Sequence, residues 1–127
     1  MRRIVLNMQN NLFGDSIAVT LQKEESDFDV YQAESPGEVT EMCSYVHPHA
    51  VLMEVTGYSP WLLAERMKLR DEIKVRDAAC KVVLIVDENA EKKLAAQVRQ
   101  AKKDGLVDQF IYGSVSSAYL TAVMDTL

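Results

Sequence analysis

Two carboxylates stand where an α/β protein would do chemistry. Glu54 lies near the end of the apolar run 50–55, and Asp87 directly follows the run 82–86. In parallel sheets ligands gather beyond the carboxyl ends of the strands, where helix N-termini converge. Side by side, two carboxylates raise one another's pKa or share a cation, here with Gln9 or Asn10 as further oxygen donors. Each also has a plainer use. Asp87-Glu88-Asn89-Ala90-Glu91 reads as the cap of the next helix, and Glu54 as a half-solvated strand-end carboxylate. His47-Pro48-His49 offers two imidazoles, but it precedes the run 50–55 and so falls at the opposite sheet end without a further ligand; no metal centre is expected there. Cys43 and Cys80 are the only cysteines and form no C-x-x-C pair. Such sparse usage fits a reducing, cytoplasmic setting.

The elements that must position these groups follow from hydrophobic periodicity. Short apolar runs at 4–8, 29–33, 50–55, 82–86 and 109–112 read as strands, and segments of helical period lie between them, the signature of a parallel α/β sheet. Val82 to Val86 is apolar throughout, as a strand covered on both faces should be. Ser35-Pro36-Gly37-Glu38 and Ser59-Pro60 are read as helix starts, each with proline at the first helical position. The helix from Ser59 to about Asp77 is expected to turn Leu62, Leu63, Met67, Leu69 and Ile73 to the core and Arg66, Lys68, Arg70 and Lys74 to water. A helix over 88–104 places Ala90, Leu94, Val98 and Ala101 inward, with Gly105 as its stop. A last helix begins at Ser116 and buries Leu120, Val123 and Met124. Trp61 is expected to cover the core edge. The whole chain, 1–127, is read as one (βα)5 domain, a doubly wound five-stranded parallel sheet.

Composition narrows the function. A chain of 127 residues with 48% hydrophobic and 26% charged side chains has room for one globular core and not for a two-domain enzyme. The net charge of -5 argues against nucleic acid as a partner, because a phosphate backbone requires a clustered positive field. No run is long enough for a membrane span, and the three apolar residues after Arg2 and Arg3 fall short of a signal peptide. Residues 1–57 carry nine acidic and three basic side chains, whereas 58–127 carry ten and eleven. Basic surface is therefore confined to the second half, on the helix bearing Lys92, Lys93, Arg99, Lys102 and Lys103.

His47-Pro48-His49-Ala50-Val51-Leu52-Met53-Glu54-Val55 resembles the x-P-D-x-V-L-x-D-x run around the phosphoacceptor of response regulator receiver domains. Gly105-Leu106-Val107-Asp108-Gln109-Phe110-Ile111 is similar to that family's entry to its fifth strand. The resemblance extends over all 127 residues in order and spacing. It implies a CheY-like, flavodoxin-like fold with strand order 2-1-3-4-5, and a family chemistry in which a histidine kinase passes a phosphoryl group to an aspartate in the presence of Mg2+.

At each position the family's chemistry needs, this chain departs from the pattern. The two acidic metal ligands after the first strand fall in Asn7-Met8-Gln9-Asn10-Asn11, with Met8 and Gln9 in their place. The acceptor is Glu54, one methylene longer than aspartate. The switch hydroxyl falls on Val86, beside Asp87, the lysine on Gly113 and the proline after it on Ser114. Together these losses remove the charge stabilisation on which phosphoryl transfer depends. The resemblance therefore implies a degenerate pseudo-receiver: no enzyme, no cofactor, a cytoplasmic module of two-component or phosphorelay signalling that acts by protein contact.

The expected contact face is the one on which receivers present their fourth helix, fifth strand and fifth helix. Here it carries Lys92, Lys93, Arg99, Lys102, Lys103, Phe110, Tyr112 and Tyr119, and it fits a protein partner or a second copy. Phe110 sits where the family keeps an aromatic switch, but without a hydroxyl partner it reads as a core-edge or groove side chain. Three alternatives are kept. Glu54 could be an atypical phosphoacceptor regulating a separate or truncated output domain, or a permanent mimic of the phosphorylated state. Of another class is a small-ligand-binding flavodoxin-like domain, although 8–13 lacks the glycines and hydroxyls of a phosphate loop. Finally, a DNA-binding output domain would lie beyond Leu127.

Overall fold

The computed structural model describes residues 1–23 and 27–127. Strands β1 (Arg2–Asn7), β2 (Phe28–Gln32), β3 (Ala50–Val55), β4 (Lys81–Val86) and β5 (Gln109–Tyr112) alternate with helices α1 (Asn11–Leu21), α2 (Val39–Val46), α3 (Leu63–Arg76), α4 (Lys92–Lys103) and α5 (Ser117–Asp125). The sheet is wholly parallel in the order β2-β1-β3-β4-β5, as expected. Side-chain alternation along the strands splits the core in two. Val5, Val51, Met53, Val82 and Leu84 pack with residues of α2, α3 and α4. Ile4, Leu6, Leu52, Val83 and Ile85 pack with α1 and α5. Among the described residues, no helix is long and apolar enough to cross a membrane.

Three helix starts differ from the sequence reading. Pro36 opens a 3-10 turn (Pro36–Glu38) before α2, and Ser35 makes no side-chain cap. Glu38 reaches past Ser35 to accept from the Glu34 N–H at 3.1 Å. The Ser59-Pro60 bond is cis, and α3 starts at Leu63. There Glu65 takes over the capping: its Oε1 accepts from the Leu62 N–H at 3.3 Å and its Oε2 from the Ser59 hydroxyl at 3.0 Å. Asp87 caps a single turn ahead of α4, accepting from the N–H groups of Asn89 and Ala90, so α4 begins only at Lys92 and Ala90 stays exposed. A short polar side chain that bonds the backbone two or three residues on competes with helix continuation. Gly105 ends α4 as expected, at φ 78°. Ser116 caps α5 through the Tyr119 N–H.

Asp108 staples three elements just before β5. Its Oδ2 accepts from the Val82 N–H at 2.8 Å and from Lys74 Nζ at 3.0 Å, while Lys74 also donates to the Cys80 carbonyl. Partial burial would raise the Asp108 pKa, but the Val82 N–H and Lys74 outweigh it and hold the carboxyl below its ordinary value. A depressed folded-state pKa gives stability that is present above the ordinary aspartate range and is lost as pH falls through the lowered value. Asp108→Asn should therefore cost about 1 kcal/mol at neutral pH, the worth of a half-solvated pair with one amide bond. Chemical denaturation at neutral pH and near pH 3 checks this: the difference between parent and variant should shrink in acid.

Candidate functional site

The carboxyl ends of β1 and β3 build the site. Their register sets Asn7 beside Met53, so Glu54 emerges next to the turn that follows β1. That turn is fixed at its far side by Asn10, whose side-chain Oδ1 accepts from the Phe13 N–H and caps α1. With Asn10 so held, two successive N–H groups point at one carboxylate oxygen. Gln9 N–H donates to Glu54 Oε1 at 2.7 Å and Asn10 N–H donates to the same atom at 3.2 Å. Glu54 is thereby clipped to the first loop, in the kind of backbone cradle that stabilises an anion.

Beneath it lies the residue that the sequence reading turned the wrong way. Arg66, expected in water, is fully buried. Its Nε donates to the Glu54 carbonyl at 2.8 Å, Nη1 to Asn7 Oδ1 at 2.6 Å and Nη2 to the Asn7 carbonyl at 3.1 Å. Asn7, also fully buried, passes the link on by donating Nδ2 to the Ala33 carbonyl at 2.9 Å. The Trp61 ring covers the guanidinium, with Arg66 Cζ 4.9 Å from its centroid. Burial pushes the Arg66 pKa down to about 10, against the opposing pull of Glu54 and Glu65, so the group remains charged at neutral pH. Its bonds run to carbonyl and amide oxygens; among the described residues, no carboxylate lies within ion-pairing distance. The sequence holds a signal for this placement, since Arg66 is three residues from Leu63 and seven from Ile73, on the same helix face.

The pocket above Glu54 is an open depression of about 310 Å3 lined by Asn10, Phe13, Ile85, Val86, Asp87, Asn89, Gly113 and Ser114. Glu54 and Asp87 share it, but each has committed an oxygen to backbone N–H groups. Met8 is buried under α1 and α5, Gln9 is exposed, and Val86 packs into the other core half. A Cβ at Gly113 would meet nothing nearer than 3.7 Å, so the backbone there accepts a side chain that the sequence lacks. Ser114 donates to Glu88 instead. Among the described residues, no three His, Cys, Asp or Glu side chains form a metal-holding group. His47 and His49 sit at the opposite sheet end, His47 as the left-handed cap of α2 and His49 with its ring Nε2 2.9 Å from the Leu127 carbonyl.

The expected partner face is brought together only in part. Arg99 Nη1 donates to the Tyr112 hydroxyl at 2.7 Å, and Phe110 meets Tyr112 edge-on with centroids 5.4 Å apart. Phe110, Tyr112, Val115 and the exposed Tyr119 line a shallow groove along the β5 edge. Lys92, Arg99 and Lys103 follow one another at helical spacing along α4, and Lys102 is half-buried beside them. Lys93 departs from this set, lining a separate groove with Thr56, Leu62 and Leu63 between α3 and α4.

No protein-family model matches the sequence, and no curated protein matches it. Solved structures do. The response regulator TrrA of Thermotoga maritima, in complex with Mg2+ and beryllofluoride, superposes with a TM-score of 0.76 at 14% identity, over 99% of this chain and 98% of that one. The BeF3-activated N-terminal receiver domain of Klebsiella pneumoniae RstA gives 0.71 at 19% identity, over 98% and 97%. A CheY-like receiver domain protein of Methanospirillum hungatei gives 0.70 at 13% identity, over 99% and 92%. With the strand order and the two-layer core, these likenesses establish that the chain has the CheY-like receiver fold of response regulators.

Proposed function

We propose that this chain is a receiver-like signalling module of a two-component or phosphorelay system that works by protein contact and takes no phosphoryl group. The observation that carries the reading is the clip on Glu54. The carboxylate at the acceptor position already accepts two N–H groups from the first loop, where the bound divalent ion and its acidic ligands would have to sit. Arg66 adds a buried positive charge beneath the strand ends, directed at backbone oxygens and away from the pocket. A transferred phosphoryl group would meet Gly113, Val86 and two carboxylates there, with no ammonium at 113 and no acidic metal ligands at Met8 and Gln9. In this reading the module is cytoplasmic and not an enzyme. Its partner, a protein or a second copy of the chain, docks on Arg99, Phe110, Tyr112 and Tyr119 with Lys92, Lys102 and Lys103 along the rim.

Incubation with Mg2+ and beryllofluoride, followed by amide NMR, tests the pocket. The expected spectrum is unchanged at Gln9, Asn10, Glu54 and Asp87. An ordered Mg2+ beside Glu54, or saturable shifts at those amides, would overturn the reading and favour an atypical acceptor. Sedimentation of the parent and of an Arg99→Glu, Lys103→Glu variant at several concentrations reads the contact face. Should the parent self-associate, the variant is expected to be monomeric, and an equally associated variant would remove a second copy from that face.

A further inference from the structure

The amino end of the sheet holds a cavity that the signalling reading does not use. It lies between α2, α3 and the approach to β4, has a volume of about 180 Å3, and is walled by Cys43, Pro48, Ile73 and Cys80, with His47 and Arg76 at its rim. Both cysteines of the chain face it. Burial pushes the Cys43 thiol up to about 11 and the Cys80 thiol up to about 12, so at neutral pH both are uncharged, polarisable walls and poor nucleophiles. That argues for a receptacle rather than a redox centre. An apolar cavity of about 150 Å3 admits benzene, so this one has room for one six-membered ring and not for a nucleotide. Thiols suit such an occupant, because sulfur makes favourable contacts with aromatic rings.

The rim supplies the polar end. Asp77, beside Arg76, also lines the cavity, and its Oδ1 accepts from the Ala79 N–H. Arg76 is exposed and makes no ion pair among the described residues, which leaves it as the uncommitted charge at the mouth. We propose that this cavity binds a small single-ring aromatic carboxylate, the ring between Cys43, Ile73 and Cys80 and the carboxylate on the Arg76 guanidinium. The site is remote from Glu54 and independent of whether that pocket is phosphorylated.

Benzoate and toluene are the probes, titrated into the full chain and followed by amide NMR and by the alkylation rate of Cys43 with iodoacetamide. Benzoate should shift Cys43, His47, Ile73 and Cys80 saturably and slow the alkylation severalfold. Arg76→Gln should weaken benzoate about tenfold, the worth of one charge-assisted hydrogen bond, and leave toluene unchanged. Cys43→Phe, which fills the cavity, should abolish both. If that variant misfolds, protection of Cys43 in the parent still decides. Absence of saturable shifts at tens of millimolar benzoate, shifts centred elsewhere on the surface, or unaltered benzoate affinity in Arg76→Gln would each overturn the proposal.

Discussion

Arg66→Met should lower the free energy of unfolding by about 3 kcal/mol, read as a fall in denaturant midpoint at an unchanged m value. Methionine nearly fills the volume but leaves Asn7 Oδ1, the Asn7 carbonyl and the Glu54 carbonyl without the donors they now have. A buried acceptor that loses its donor costs about 1–3 kcal/mol where no other donor replaces it, and loss of the Trp61 contact adds to that. Relief from desolvating the guanidinium offsets part of the sum, which is why the expected loss stays well below the three penalties added together. Arg66→Lys should recover little, because a point ammonium cannot span three oxygens that a planar fork reaches at once. Asn7→Val combined with Arg66→Met should cost less than the two single changes added, since each removes partners of the other. An Arg66→Met chain as stable as the parent would mean that water serves these acceptors and that the buried network is not what ties α3 to the sheet.

That network also marks where the sequence was readable and where it was not. Apolar runs locate all five strands, and 50–55 and 109–112 coincide with β3 and β5, because alternation and continuous burial write themselves into residue type. Helix starts are less legible. Ser35 and Ser59 have the right chemistry for caps, yet Glu65 caps α3 from within its first turn, and Glu38 bonds the Glu34 N–H ahead of the 3-10 turn. Which of two nearby polar groups reaches a free N–H depends on backbone geometry that composition does not encode. The charge of Arg66 points to water, whereas its spacing from Leu63 and Ile73 places it on the buried face, and here period prevails over residue type. Glu54 and Asp87 were legible as strand-end groups, but the clip on Glu54 was not, since its donors are main-chain N–H groups and every residue in the loop carries one.

Glu54→Ala should cost about 2 kcal/mol, the lower part of the range for hydrogen bonds to a charged acceptor, because the side chain is only half-buried. The more telling readout is local. With their shared acceptor gone, the Gln9 and Asn10 amides should lose hydrogen-exchange protection, while β4 and β5 keep theirs. Glu54→Gln retains an oxygen at the same reach without the charge, and should fall between parent and alanine. Glu54→Asp decides between two views of this position. Its carboxylate retreats by one methylene toward the strand, so if the clip is what matters, it should behave like alanine in amide exchange. It would also carry the residue type that phosphoacceptors use, yet Met8, Gln9 and Gly113 would still supply neither metal ligands nor an ammonium. Beryllofluoride should therefore leave the Glu54→Asp chain as unchanged as the parent. Binding by that single variant would show that the extra methylene of Glu54, and not the missing charges, had kept the pocket silent.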